Sequence, residues 1–215
     1  NDTATTEIYT LSLHDALPIW DIRPGENVVD VCAAPGGKTL IAGQMQQGQG
    51  RLIAMDLHPF KCRQLEETGA RMGLSQLSVR SWDSTTAASD LLAQADKVIC
   101  DVPCSGLGIL RKKADIRFKK EEELSDLPQI QGKILEAAAS YCRPGGRLVY
   151  STCTILPEEN QQVVEAFLKQ NKEFSLCPLV LPGDMGAEEG YRTFYPHKDG
   201  TDGFFIACLR RNQES

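Results

Sequence analysis

Two cysteines stand where they could act as reagents. Cys104 lies in "DVPCSG" (101–106) and Cys153 in "STCT" (151–154), and each follows an apolar, strand-like run in a polar, turn-like setting. Pro103 has no N–H for a sheet ladder, so the chain must turn there and present Cys104 at the rim of a sheet. Neighbouring strands lie about 4.8 Å apart, so both thiols face one cleft if the two runs are adjacent. A thiolate can add to an electron-poor carbon and so activate the atom beside it. A free thiol has a pKa of about 8.5, and such a nucleophile therefore needs a cationic or otherwise polar neighbourhood. Arg111, Lys112 and Lys113 are one source of charge, and holding phosphate is their other possible use. Which sulfur attacks is left open by the chemistry alone.

The stretch "VCAAPGGKTL" (31–40) raises a second question. Laid over the phosphate-binding pattern G-x-x-x-x-G-K-[ST], it matches at Gly37, Lys38 and Thr39 and fails at the first position, where Cys32 replaces glycine. A triphosphate site also needs a metal-binding acid at a later strand end, a place Asp101 could fill. Two features oppose that reading. The missing glycine removes the tight entry turn, and Asp56 follows Gly37 at about the 20-residue spacing at which an acid grips ribose hydroxyls. A helix beginning at Gly36–Lys38 would bind an anion, and a single carboxylate suffices. S-adenosylmethionine offers that carboxylate, a ribose for Asp56 and an adenine near Asp83. Helix capping is the alternative role for Asp56, and more so for Asp83. A methyl donor gives the thiols a specific use: carbon 5 of a pyrimidine becomes nucleophilic once a thiolate has added to carbon 6.

The bulk properties set limits. With 215 residues, 41% hydrophobic and 24% charged, the chain suits one α/β domain or a core domain with a short appendage. No apolar run approaches the roughly 18 residues of a membrane span and no basic-then-apolar leader occurs, so a cytoplasmic protein is expected. The eight cysteines are scattered, without C-x-x-C, and His14, His58 and His197 form no ligand spacing. Reduced thiols and no metal are expected, with Cys32, Cys62, Cys100, Cys142, Cys177 and Cys208 as inert filler. The net charge of −6 does not mark a nucleic-acid binder. Its distribution is uneven: Arg111, Lys112, Lys113, Arg117, Lys119 and Lys120 face one acid, Asp115, before Glu121 to Glu123. A solvated helix start is the plainer reading of that cluster.

The elements that must position these groups alternate. Buried strands are predicted at 27–31, 51–56, 77–81, 97–102, 146–152 and 203–210, and helices from Gly37, over 59–72, 129–142 and 157–169. The last helix opens on "PEEN", with an early proline and acids in its first turn. Such alternation implies a mostly parallel sheet with helices on both faces and a ligand at the carboxyl ends of the strands. The unusual motifs fall at those ends. Residues 1–19 match nothing in this pattern and are read as a leader or foreign junction outside the fold, with 20–215 as the catalytic domain.

"VCAAPGGKT", "DVPCSGLGILRKKADIR", "LVYSTCTILPEEN" and "KDGTDGFFIACLRR", in this order, resemble the Sun/RsmB-type ribosomal RNA cytosine-5 methyltransferases of the NOL1/NOP2/Sun family. The resemblance covers about residues 22–211. It implies a Rossmann-like class I methyltransferase fold of about seven strands, with S-adenosylmethionine as cofactor and small-subunit ribosomal RNA as partner, acting as a monomer. It further implies that Cys32, Ala33, Ala34, Pro35, Gly36, Gly37 and Lys38 form the cofactor loop, that Asp56 binds ribose, and that Asp83 sits beside adenine. Asp101 would lie between the methionine end and the target base. Cys153 would be the nucleophile and Cys104 the residue that assists product release, with Arg111, Lys112, Lys113 and Arg117 on RNA. The family's amino-terminal RNA-binding region has no counterpart in residues 1–19, which implies weak RNA binding by this chain alone, since phosphate contacts supply much of such affinity. An assembly factor that keeps the fold without activity is the rival reading, and a nucleotide hydrolase is the third.

Overall fold

In the computed structural model, which describes residues 17–118, 124–181 and 187–213, the apolar runs divide their side chains between two faces. Val29, Ile53, Val98 and Leu148 point into one core cluster; Val28, Leu52, Ile99 and Val149 point into another. Strands that are apolar on both faces need helices on both, and this condition selects the layered architecture.

The chain runs α1 (Leu17–Trp20), β1 (Asn27–Asp30), α2 (Gly37–Met45), β2 (Arg51–Asp56), α3 (Pro59–Arg71), β3 (Leu77–Ser81) and β4 (Ala95–Asp101). It continues with α4 (Leu127–Tyr141), β5 (Cys142–Thr152), α5 (Gln161–Gln170), β6 (Phe174–Leu176), β7 (Leu179–Val180), β8 (Ala187–Glu188), β9 (Tyr191–Phe194), α6 (Pro196–Asp199) and β10 (Phe204–Arg211). The main sheet has the order β3-β2-β1-β4-β5-β10-β6, with β9 also paired to β10. It thus has eight strands, one more than the expected seven, because Tyr191–Phe194 adds a short ladder to β10. Neighbours among β1 to β5 are parallel, whereas β10 lies antiparallel to β5. The order reverses between β1 and β4, so their carboxyl ends open a crevice. The β4–β5 register sets Cys100 opposite Tyr150 and Asp101 opposite Ser151.

Four sequence expectations shift. Strand β5 begins at Cys142 rather than 146, and α4 enters it directly. Helix α5 begins at Gln161, not 157, because Glu159 and Asn160 are buried and bonded to neighbouring loops instead of starting the helix. The boundary placed at residue 20 falls inside packed structure: Ile19 and Trp20 are buried with Val28, Leu52, Val149 and Ile206. Residues 1–16 lie outside the described residues. Lastly, Cys177 and Cys208, read as reduced filler, form a disulfide with their Cα atoms 5.4 Å apart. The N–H of Cys177 donates to the carbonyl of Cys208 (2.9 Å), and this pairing brings the side chains together.

Trp20, 1% exposed, packs in the core cluster of Val28, Leu52, Ile99 and Val149. Trp20→Ala is expected to cost about 3–5 kcal/mol, read as a lower urea midpoint, from lost burial and the cavity left behind.

Candidate active site

The first loop leaves β1 at Asp30, which is buried and accepts hydrogen bonds from Thr39 Oγ1 (2.6 Å) and the Cys32 N–H (3.3 Å). The Ala33 N–H donates to Met55 O (2.8 Å) and the Ala34 N–H to Asp56 Oδ2 (3.2 Å), so the loop is sewn to the end of β2. The Ala34–Pro35 peptide is cis. Gly36 follows with φ 113°, and a Cβ there would stand 2.5 Å from Leu65 Cδ1, so the turn requires glycine. Helix α2 then starts without a side-chain cap, leaving its first N–H groups for other acceptors.

Beside this loop lies a cavity of about 350 Å³, lined among others by Cys32, Ala34, Asp56, Trp82, Asp83, Asp101, Cys104 and Cys153. Asp56 Oδ1 accepts the His58 N–H (3.0 Å) as Oδ2 accepts that of Ala34. Each oxygen keeps acceptor capacity, which suits a pair of ribose hydroxyls. Asp83 accepts the N–H and the hydroxyl of Thr85 (3.0 and 2.7 Å), and these bonds hold its carboxyl below the usual range. Among the expected loop residues, Ala33, Pro35, Gly36, Gly37 and Lys38 do not line the cavity. They shape the loop behind it, and Lys38 turns instead to Asp101, with Nζ 2.6 Å from Oδ2. Asp101 Oδ1 accepts the Ser151 hydroxyl (2.7 Å), a partner the sequence reading missed.

The two sulfurs meet at this end of the cavity. Cys104 Sγ lies 3.1 Å from Cys153 Sγ and also accepts the Cys153 N–H at 3.2 Å. Their titrations split. The hydrogen bond with Cys104 lowers the Cys153 thiol, aided by the charge of Lys38 and opposed by burial and Asp101. The same bond, with burial, raises Cys104. Of the two thiols, Cys153 is therefore the one that gives up its proton more readily.

The basic cluster is arranged differently from expectation. Arg111 and Lys112 pair with Oδ1 and Oδ2 of buried Asp202 at 3.4 and 2.6 Å, so the cation that influences Cys153 is Lys38, not the Arg111–Lys113 group. The guanidinium of Arg117 lies over the Phe118 ring, 4.7 Å from its centroid. Lys119, Lys120 and Glu121 to Glu123 lie outside the described residues. Gly108 donates its N–H to Cys153 O (3.0 Å) and accepts that of Gly203 (2.8 Å), which straps the cluster beside the Cys153 turn. A Cβ on Gly108 would come within 1.8 Å of Gly203 O, so only glycine allows the approach.

The strand order, with a reversed strand beyond β5 and the cavity at the switch point, is the Rossmann-like fold of S-adenosylmethionine-dependent methyltransferases. Within that class the assignment narrows further, for residues 18–210 match the model of the 16S rRNA methyltransferase RsmB/F family, and the chain belongs to it. It is 35% identical over 198 residues to the probable ribosomal RNA small subunit methyltransferase B of Bacillus subtilis, covering 89% of this chain and 44% of that protein. The corresponding Pasteurella multocida protein is 37% identical, at 87% and 43% coverage. The chain thus spans less than half the length of these relatives. Among solved structures, that of PH0851 superposes with a TM-score of 0.85 at 36% identity, covering 92% of this chain and 45% of that one. NSun6 from Pyrococcus horikoshii, solved with SFG, gives 0.78 at 29%, with coverages of 95% and 53%.

Two measurements probe the electrostatics. Burial, with Asp101 nearby, lifts the Asp30 carboxyl from 3.8 to about 7 against the Thr39 hydrogen bond. A raised acid contributes stability that is fully present below its unfolded value and lost as pH rises through the folded one. Between pH 4 and about 7, the chain is therefore expected to lose up to about 4 kcal/mol relative to Asp30→Asn, seen in paired denaturant titrations. For the thiols, Lys38→Met should slow alkylation of Cys153 by iodoacetamide near pH 7, since the variant lacks the cation that favours the thiolate.

Proposed function

We propose that this chain carries the catalytic centre for methyl transfer from S-adenosylmethionine to carbon 5 of a cytidine in small-subunit ribosomal RNA, through a covalent cysteine adduct. The observation that carries the reading is the sulfur pair, 3.1 Å apart, at the end of a cavity of about 350 Å³ that Asp56 and Asp83 also line. Asp56 would hold the ribose and Asp83 the adenine end, while the loop from Cys32 to Lys38 shapes the wall against the methionine end. The cofactor, when bound, supplies an electrophilic methyl group.

The residues then have distinct tasks. The Cys153 thiolate forms a bond to carbon 6 of the pyrimidine, and the carbon 5–carbon 6 π pair becomes available at carbon 5. Asp101, held by Lys38 and Ser151, orients the base edge and receives a hydrogen bond from it. After transfer, Cys104, its own proton having passed to solvent, accepts the carbon-5 proton. The electron pair released re-forms the carbon 5–carbon 6 double bond and expels the Cys153 sulfur as a thiolate. The ring is attacked from its face, so the base must be unstacked. Arg111 and Lys112 remain about half exposed despite Asp202 and, with Lys113 and Arg117, present cations to a phosphate backbone beside the Cys153 turn.

Cys153→Ala is expected to reduce incorporation of radiolabelled methyl into unmodified small-subunit ribosomal RNA to background, with S-adenosylhomocysteine affinity unchanged by calorimetry. Cys104→Ala is expected to accumulate a covalent RNA adduct on denaturing gels. Binding of S-adenosylhomocysteine by the unaltered chain without any methyl incorporation would favour the inactive assembly-factor reading.

A further inference from the structure

The dipeptide Glu159–Asn160 opens as if to start a helix, yet both side chains are almost wholly buried, Glu159 at 2% and Asn160 at 0% exposure. Their bonds run to the two cysteine loops. Glu159 Oε2 accepts the Ser105 N–H (2.9 Å) and the Gln131 amide (2.8 Å), and the same amide nitrogen donates to Pro103 O (3.0 Å). Of the residues on either side of Cys104, Ser105 is thus tied to the carboxylate directly and Pro103 through the Gln131 amide. Asn160 Oδ1 accepts the Thr152 hydroxyl (2.6 Å), and its Nδ2 donates to Thr154 O (3.1 Å). Residues 152 and 154, on either side of Cys153, are tied to the next side chain. The Ser105 hydroxyl donates to Thr154 Oγ1 (2.8 Å), joining the two brackets. The Tyr150 hydroxyl donates to the Glu159 carbonyl (2.7 Å) and anchors the dipeptide to β5.

Burying a carboxylate is unfavourable by several kcal/mol before its partners compensate, so a site that only had to end a loop would use an apolar contact. Here consecutive residues hold the flanks of both sulfurs, and their separation along the backbone fixes how far apart those flanks stand. We infer that Glu159 and Asn160 are positioning residues that set the distance between Cys104 and Cys153. Glu159 governs the Cys104 side and Asn160 the Cys153 side. The inference deepens the proposed reaction and rests on its two-thiol reading.

The test uses the full chain and phenylarsine oxide, a probe that bridges two thiols held close together and needs no RNA. The unaltered chain is expected to bind one equivalent, lost in Cys104→Ser. Asn160→Asp keeps an acceptor for Thr152 and sets a second one against Thr154 O. A displacement of about 1 Å costs on the order of a hundredfold where two groups must act together, and the arsenical affinity is expected to fall by about that much. Its Cys153 alkylation profile should shift to higher pH as the Cys104 contact loosens. Glu159→Gln preserves shape and should weaken bridging less, while prolonging the RNA adduct in the methylation assay. Thermal midpoint and S-adenosylhomocysteine affinity, measured on the same samples, identify a variant that has merely unfolded. Folded Asn160→Asp and Glu159→Gln that bridge the arsenical and alkylate as the unaltered chain does would overturn the inference. A chain that bridges normally but transfers no methyl group would overturn the reaction instead and leave the brace standing.

Discussion

The parallel pairing of β4 with β5 is the constraint on which the site depends. With Asp101 opposite Ser151, both strands end at one height, and the turns that leave them have nowhere to diverge before their third residue. Cys104 follows Asp101 by three positions and Cys153 follows Ser151 by two, so the sulfurs arrive together by register rather than by any affinity between them. The Ser151 hydroxyl then fixes the carboxylate beside them. A one-residue slip would reverse every side chain on β5 and separate the reagents completely.

Charge is the second organising element. Asp30, Asp56 and Asp101 crowd the carboxyl ends of three strands, with Lys38 set among them. Burial, reinforced by these three carboxylates, raises the Cys32 thiol, which stays protonated and inert. The one sulfur moved in the other direction is Cys153, because of its hydrogen bond with Cys104 and the charge of Lys38 to one side. One lysine thus serves both the carboxylate that would orient a base and the thiolate that would attack it. The phosphate-loop resemblance of Gly37–Thr39 is accounted for without a phosphate: Lys38 pairs with Asp101 and Thr39 with Asp30.

Much of this was legible in the chain. Central strands buried on both faces must be rich in Val, Ile and Leu, so β1, β2, β4 and the body of β5 declared themselves, and the polar motifs at their ends marked the crevice. Strand β3, also expected as buried, lies at the sheet edge with its side chains half-buried or exposed. The remainder depended on tertiary partners. "PEEN" carries the residue types of a helix start and of a buried tie alike, and only the neighbouring loops decide between them. Arg111 and Lys112 read as free cations because their partner, Asp202, is about 90 positions away. The Cys177–Cys208 pairing likewise follows from the course of β10, which no local pattern reveals. Ile19 was set aside because residues 1–19 match nothing in the strand–helix pattern, although its burial beside Trp20 joins it to the core.

The placement of β10 carries a consequence for how such a chain comes into being. Strand β5 receives its second neighbour only from residues 204–211, which run against it. A growing polypeptide that has passed Thr152 but not yet delivered that stretch holds β5 as a bare rim of unpaired amides and carbonyls, open to pairing with strands of other molecules. The rim beside the thiol pair is therefore sealed only after residues 204–211 have been added.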